Sequence, residues 1–150
     1  MAEPLSVLLL DDASTRRKVL DDCVKFIDDE VKRKSGVSGI AIKGGYKVVC
    51  KIKPGIIREA MDCLLDEFVG RFEPLWSAPT AAGGDKDGFH SYLQQNRSKA
   101  ADELLGVTDD RAKRAKNKTI KGAYDKLRPM AKKHVEEAVP NAGKVLAKHL

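Results

Sequence analysis

The chain is short of aromatics, histidine and cysteine, and each shortage closes off a class of function. One tryptophan, three tyrosines and four phenylalanines leave little to stack on nucleic-acid bases. The three histidines, His90, His134 and His149, lie far apart, and neither HExxH nor an ExxH pair occurs, so no metal or other cofactor is expected. Asp87 and His90, at i,i+3, come nearest to a ligand pair and read as ordinary capping and surface residues. Cys23, Cys50 and Cys63 form no CxxC, are odd in number and sit among apolar neighbours, the usage of reduced core thiols in a cytoplasmic protein. No GxSxG is present: the run SGVSG at 35–39 has the wrong order, and Gly83–Gly84 lacks the Lys-Ser/Thr ending of a phosphate loop. An enzyme is therefore not expected. No run approaches the ~18 apolar residues of a membrane span, and the start MAEPLSVLLLDD, acidic on both sides of its apolar run, fits no signal peptide.

What the chain does have is helical periodicity. In KPGIIREAMDCLLDEFVGRF, Lys53 to Phe72, the residues Ile57, Met61, Leu64, Leu65, Phe68 and Phe72 recur on one helical face, which predicts a central helix over 54–73. Pro54 suits its first turn, and Arg58 with Asp62 and Glu67 with Arg71 form i,i+4 pairs outside. The expected fold is all-α, a compact bundle of about five or six helices, and the 150 residues suit one domain.

Around that helix the remaining segments fall into place. Leu5 to Leu10 reads as a docked arm or helical turn. Ser14 is the expected cap of the next helix, whose stripe is Leu20, Cys23, Val24, Ile27 and Val31, whose pairs are Asp21–Lys25, Asp28–Lys32 and Asp29–Arg33, and whose stop is Gly36. The segment Val37 to Lys53 resembles a Gly-Gly hairpin at first, but a hairpin scatters its charges over both faces. A helix gathers Lys43, Lys47 and Lys51 on one face and Ala41, Ile42, Val48, Val49 and Ile52 on the other, so helix is predicted. Pro74 is expected to stop or bend the chain, and 77–86 reads as an exposed linker. Asp87 is the expected cap of a helix with Phe89, Tyr92, Leu93, Ala100, Leu104 and Leu105 inside and Gly106 as its stop.

Charge is placed unevenly. The net charge is +6, and residues 107–150 carry twelve Lys and Arg against five Asp and Glu, while residues 1–106 carry sixteen against seventeen. Thr108, with Asp109 and Asp110, is expected to open a basic helix presenting Arg111, Arg114, Lys118, Lys121 and Arg128 on one side and the small stripe Ala112, Ala115, Thr119, Ala123 and Leu127 on the other. Pro129 is expected to kink or break it, a further turn or two carries Met130, Val135 and Val139, and Pro140 is expected to break the pattern again, with Asn141 capping a last short helix.

The segments VLDDCVKFIDDEVKRKSG (19–36), Lys43 to Phe68, and RPMAKKHVEEAVPNAGK (128–144) resemble a family of small uncharacterised bacterial helical proteins, a domain of unknown function. The resemblance implies a helical fold and transfers no mechanism. The expected role is a non-enzymatic interaction module whose partner is another protein or a second copy of the chain. Two alternatives stand beside it: a non-specific polyanion binder, of DNA or RNA, through the basic 107–128 helix, and a peripheral binder of anionic membranes through Lys43, Lys47 and Lys51.

Overall fold

The computed structural model describes residues 4–77 and 86–150, and the described residues form seven helices without a strand: α1 (Leu5–Leu10), α2 (Ala13–Arg33), α3 (Gly36–Cys50), α4 (Ile56–Ser77), α5 (Lys86–Gln95), α6 (Arg97–Lys113) and α7 (Lys118–Ala147). The all-α expectation holds, with seven helices in place of five or six. The expected linker at 77–86 falls almost wholly outside the described residues, and Asp87, expected ahead of its helix, lies within α5.

Helix α4 buries Met61, Leu65, Val69, Phe72 and Trp76, spaced so that all face inward. Phe72 and Trp76 meet Phe89 of α5 edge-on, with ring centroids 6.3 and 5.4 Å away. The stripe is rotated from the expected one: Ile57, Leu64 and Phe68 are only half-buried, and Val69 takes the centre. Pro54 sits in the turn before α4, and Pro74 lies inside the helix without stopping it. The magnitudes explain why. An interior proline costs about 3 kcal/mol, while Leu75 and Trp76 beyond it are fully buried, worth about 1.5 to 3 kcal/mol for each large side chain. The short α1 docks on α4 through buried Leu5 and Leu9. Its Ser6 N–H donates to Glu73 Oε1 at 2.8 Å, giving one first-turn donor the partner the helix itself cannot supply.

Asp12, not Ser14, caps α2. Its carboxylate accepts from the Thr15 N–H at 2.8 Å and the Thr15 hydroxyl at 3.0 Å, contacts that hold its pKa below the usual carboxylate value. Of the expected i,i+4 pairs only Asp28–Lys32 forms, at 2.8 Å. Asp29 takes Lys25, Asp21 reaches Arg58, Asp62 takes Arg16, and Arg71 turns to Glu103. The long arginines thus tie α4 to α2 and α6, each exposed pair contributing about 0 to 1 kcal/mol. Cys23 is buried, which pushes its thiol up to about 11. Cys50 and Cys63 are exposed, contrary to the core placement expected of them.

The helix predicted for 37–53 is present as α3, but it is set lightly on the body, with Gly39 its one buried residue. Gly45 admits Leu127 of α7 into the space a Cβ would need. Farther on, the break falls at Asn96, whose side-chain amide donates to the Tyr92 carbonyl at 2.9 Å, and α6 runs through Gly106 because Leu105 and Val107 beside it are buried. Helix α7 begins at Asn117, whose side chain accepts from the Thr119 and Ile120 N–H groups, and continues for 30 residues through Pro129 and Pro140. Asn141 is therefore mid-helix. Buried Val139, Gly143 and Leu146 hold α7 together past its prolines.

Helices α2 and α6 each pack against both α4 and α7, whereas α4 and α7 make no close backbone approach to each other among the described residues. They face one another across the interior, and α3 touches α2, α4 and α7.

This packing separates two glycines of α3. A Cβ at Gly39 would lie 2.8 Å from the Lys34 carbonyl carbon, while Gly44 faces open space. Gly39→Ala should lower stability by about 1 to 3 kcal/mol, and Gly44→Ala should raise it by about 0.5 to 1 kcal/mol. Urea unfolding of the two variants checks the pair.

Candidate functional site

Where α2 ends, α3 begins and the middle of α7 passes by, polar residues collect around a cavity of about 350 Å³ lined by Glu30, Arg33, Lys34, Ser35, Ser38, Lys133, His134 and Glu137. Glu30 is buried, with 9% of its surface exposed, and a buried carboxylate must be satisfied from the protein. Arg33 pairs with Oε1, Asn141 Nδ2 donates to the same oxygen at 2.9 Å, and Lys34 Nζ stands 3.7 Å from Oε2. Lys34 is itself nearly enclosed, its side chain 10% exposed; it donates to the His134 carbonyl at 3.2 Å and lies 3.6 Å from Glu137. Three cations therefore line the mouth against two carboxylates. The first turn of α3 opens beside them, and its cap residue Ser35 supplies no side-chain hydrogen bond to the N–H groups there, a setting that favours an anion.

His134 is 8% exposed. Its Nε2 shares a 2.9 Å hydrogen bond with the Ser38 hydroxyl, while its buried Nδ1 has no hydrogen-bond partner and lies 3.9 Å from Glu137. Burial, and then the charge of Lys34, lowers the His134 pKa from its ordinary 6.5, with Glu137 opposing, so the ring is neutral at pH 7. A serine and a histidine in contact form a nucleophile–base pair, but among the described residues no third group within hydrogen-bond reach of Nδ1 orients the ring.

Below the mouth, a second cavity of about 330 Å³ opens between α4 and α7, and Glu30, Lys34 and His134 line both. Its walls are otherwise almost all carbon: Phe26 and Ile27 from α2, Leu65 and Phe68 from α4, Leu104 from α6, and Val135 and Val139 from α7. The cause is visible in the sequence of α7, where Ala131, Ala138 and Ala142 face the large side chains opposite and leave the space unfilled. Among the described residues, no three His, Cys, Asp or Glu side chains gather as they would around a metal ion.

The residues singled out from the sequence lie elsewhere. Arg111 and Arg114 end α6, while Lys118, Lys121 and Arg128 belong to α7, so they do not share one side of one helix as expected. Thr108 does not start a helix either: it lies inside α6, and its hydroxyl bonds the Tyr124 hydroxyl at 2.8 Å. Arg128 is committed to Asp109 through two bonds of 2.8 and 3.0 Å, which hold the Asp109 carboxyl below its usual range. Tyr124, the one aromatic near the basic residues, is drawn into the same network, and its burial pushes its hydroxyl up to about 12. Arg111, Arg114, Lys118 and Lys121 remain exposed around the α6–α7 turn. Lys43 and Lys47, on the outer side of α3, and Lys51, just past its end, are exposed together. Among the described residues no helix is long and apolar enough to cross a membrane.

A model of a family of unknown function, DUF6918, matches residues 5–150. The chain belongs to this family. The match to DUF6918 takes in all seven helices and both cavities. No curated protein and no solved structure matches the chain. Sequence reasoning passed over the junction because its members, Glu30, Lys34, Ser38 and His134, are scattered over a hundred residues. The one signal was Glu30 and Lys34 at i,i+4, flanking the apolar stripe of α2.

The neutral, buried His134 makes stability depend on pH. Its folded pKa lies below the 6.5 of an exposed histidine, so the unfolded chain binds the proton first, and stability is lost as pH falls below about 6.5. His134→Gln, which keeps a polar group beside Ser38, should show a smaller loss between pH 7 and pH 5. Equal slopes in urea titrations of the two proteins would contradict the assignment.

Proposed function

We propose that the protein binds a small amphipathic acid, with the carboxylate at the Lys34 mouth and the aliphatic tail in the cavity between α4 and α7. The observation that carries this reading is the junction itself: Glu30, Lys34 and His134 belong to both a cationic polar cavity and an apolar one. A volume of about 330 Å³ stands at the lower end of ligand sites and has room for roughly ten methylene-sized groups of about 30 Å³ each. A tail laid against these carbon walls takes apolar surface out of water at about 25 cal/mol per Å², which favours its binding there. At the mouth, Lys34 is already placed by Glu30 and Glu137, so little ordering cost attends the binding of a carboxylate. The role is binding and not turnover, a reading supported by the missing orienting group at His134 Nδ1. The unpaired thiols Cys23, Cys50 and Cys63 suit a reducing cytoplasm.

Calorimetry with decanoate tests the proposal. Decanol should bind at least tenfold more weakly, and Lys34→Met should weaken decanoate by about tenfold or more, the equivalent of one charged hydrogen bond at about 1.5 to 3 kcal/mol. Ala142→Leu should remove binding while leaving the melting temperature unchanged or raised, because it fills space that is already empty. Unchanged decanoate binding in that variant, or none in the wild type, contradicts the reading. Turnover of a decanoate ester that stops in Ser38→Ala would replace binding by acyl transfer.

A further inference from the structure

Helix α3 is amphipathic in the wrong sense for a helix that merely packs on a body. Its inner residues Ser38, Ile42, Gly45, Tyr46 and Val49 are covered to varying degrees, yet three of its apolar side chains face water: Val37 is 89% exposed, Ile40 71% and Val48 46%. At about 100° per residue, these share an arc of roughly 140° with Lys43, Lys47 and Lys51. Val48 was expected on the inner side and stands instead among the lysines. The helix has no acidic residue, and neither Lys43 and Lys47 within it nor Lys51 at its C-cap forms an ion pair among the described residues. Large apolar side chains standing in water beside unpaired cations need a partner that is apolar within and anionic at its surface.

We infer that the outer face of α3 docks on an anionic lipid surface, with Val37, Ile40 and Val48 entering the acyl boundary and Lys43, Lys47 and Lys51 meeting the headgroups. Charge complementarity, and apolar residues that share one arc with the lysines, Ile40 between Lys47 and Lys51 and Val37 with Val48 along its edge, fit a helix lying in the interface plane. A duplex nucleic acid would use the lysines and leave the valines and isoleucine in water; a protein groove would not call for three unpaired lysines. The inference goes beyond the ligand reading and stands without it, yet it bears on the same site. Ser38, from the inner face of this helix, lines the mouth, and Ile42 lines the apolar cavity. The helix that docks is therefore also one wall of the site, presenting its opposite face to it.

Flotation with phosphatidylcholine–phosphatidylglycerol vesicles in equal parts, at low salt, tests it. The wild type should float with these vesicles and not with phosphatidylcholine alone. Exposed residues can be changed without unfolding the chain, so V37S/I40S should keep the wild-type melting temperature and its decanoate affinity while flotation falls about tenfold. K43E/K47E/K51E should lower it by about a hundredfold, each lysine near the surface being worth about fivefold. R111E/R114E/K118E/K121E should float as wild type. Absence of flotation in the wild type, flotation unaffected by both α3 variants, or flotation lost only in the α6–α7 variant overturns the inference. Decanoate binding that fails while flotation behaves as stated removes the cavity reading alone.

Discussion

The unbroken run of α7 is the constraint on which the architecture depends. A helix of 30 residues is about 45 Å long, enough to lie against α2, α3, α5 and α6 in turn. Two interior prolines cost it about 3 kcal/mol each, and packing along its length offsets that. Toward its start Leu127 enters the space at Gly45; toward its end Gly143 lets Leu93 of α5 approach to 3.0 Å of where a Cβ would stand. In between, Arg128 is held by Asp109, Lys132 reaches Asp102, and Asn141 reaches Glu30. A helix broken at Pro129, one of the two outcomes the sequence allows, would separate these contacts into two independent pieces.

Continuity of α7 also creates the cavity. With α2 and α6 each touching both α4 and α7, the last two are held apart across the interior, and the alanines that α7 presents there are too small to close the gap. The same stretch of α7 carries His134 to the opening. Burial of Glu30 then decides the chemistry at the mouth. A desolvated carboxylate without partners would cost several kcal/mol, so Arg33, Lys34 and Asn141 converge on it, and the convergence leaves an ammonium group at the top of an apolar hole. Function, in this account, follows from a fold that spaces its helices too widely at one point and must satisfy a buried charge at the same point.

Much of the fold was legible because it rests on local pattern. The periodicity of 54–73 marked the central helix, and the placement of Lys43, Lys47 and Lys51 chose helix over hairpin for α3. What misled were the punctuation residues. Gly106 and Pro140 read as stops and Pro74 and Pro129 as stops or bends, yet all four lie within helices, since a local cost of about 1 to 3 kcal/mol yields to the burial of Trp76, Val107 or Val139. The true break at Asn96 left no comparable mark. Intrahelical pairs such as Arg58–Asp62 were displaced by longer ones because an arginine reaches a neighbouring helix as easily as its own next turn. The candidate site was legible least of all: nothing local announces that His134 meets Ser38 or that alanines on α7 face emptiness.

The central claim is that the space between α4 and α7 receives the tail of an amphipathic acid. Methyl-resolved NMR of the chain titrated with decanoate addresses it most directly. The account predicts saturable shifts at the methyls of Leu65, Val69, Val135, Val139 and Ala142, which line the cavity, and none at Val37 or Ile40 on the outer face of α3. Shifts confined to those outer methyls, with the cavity methyls unmoved, would contradict it.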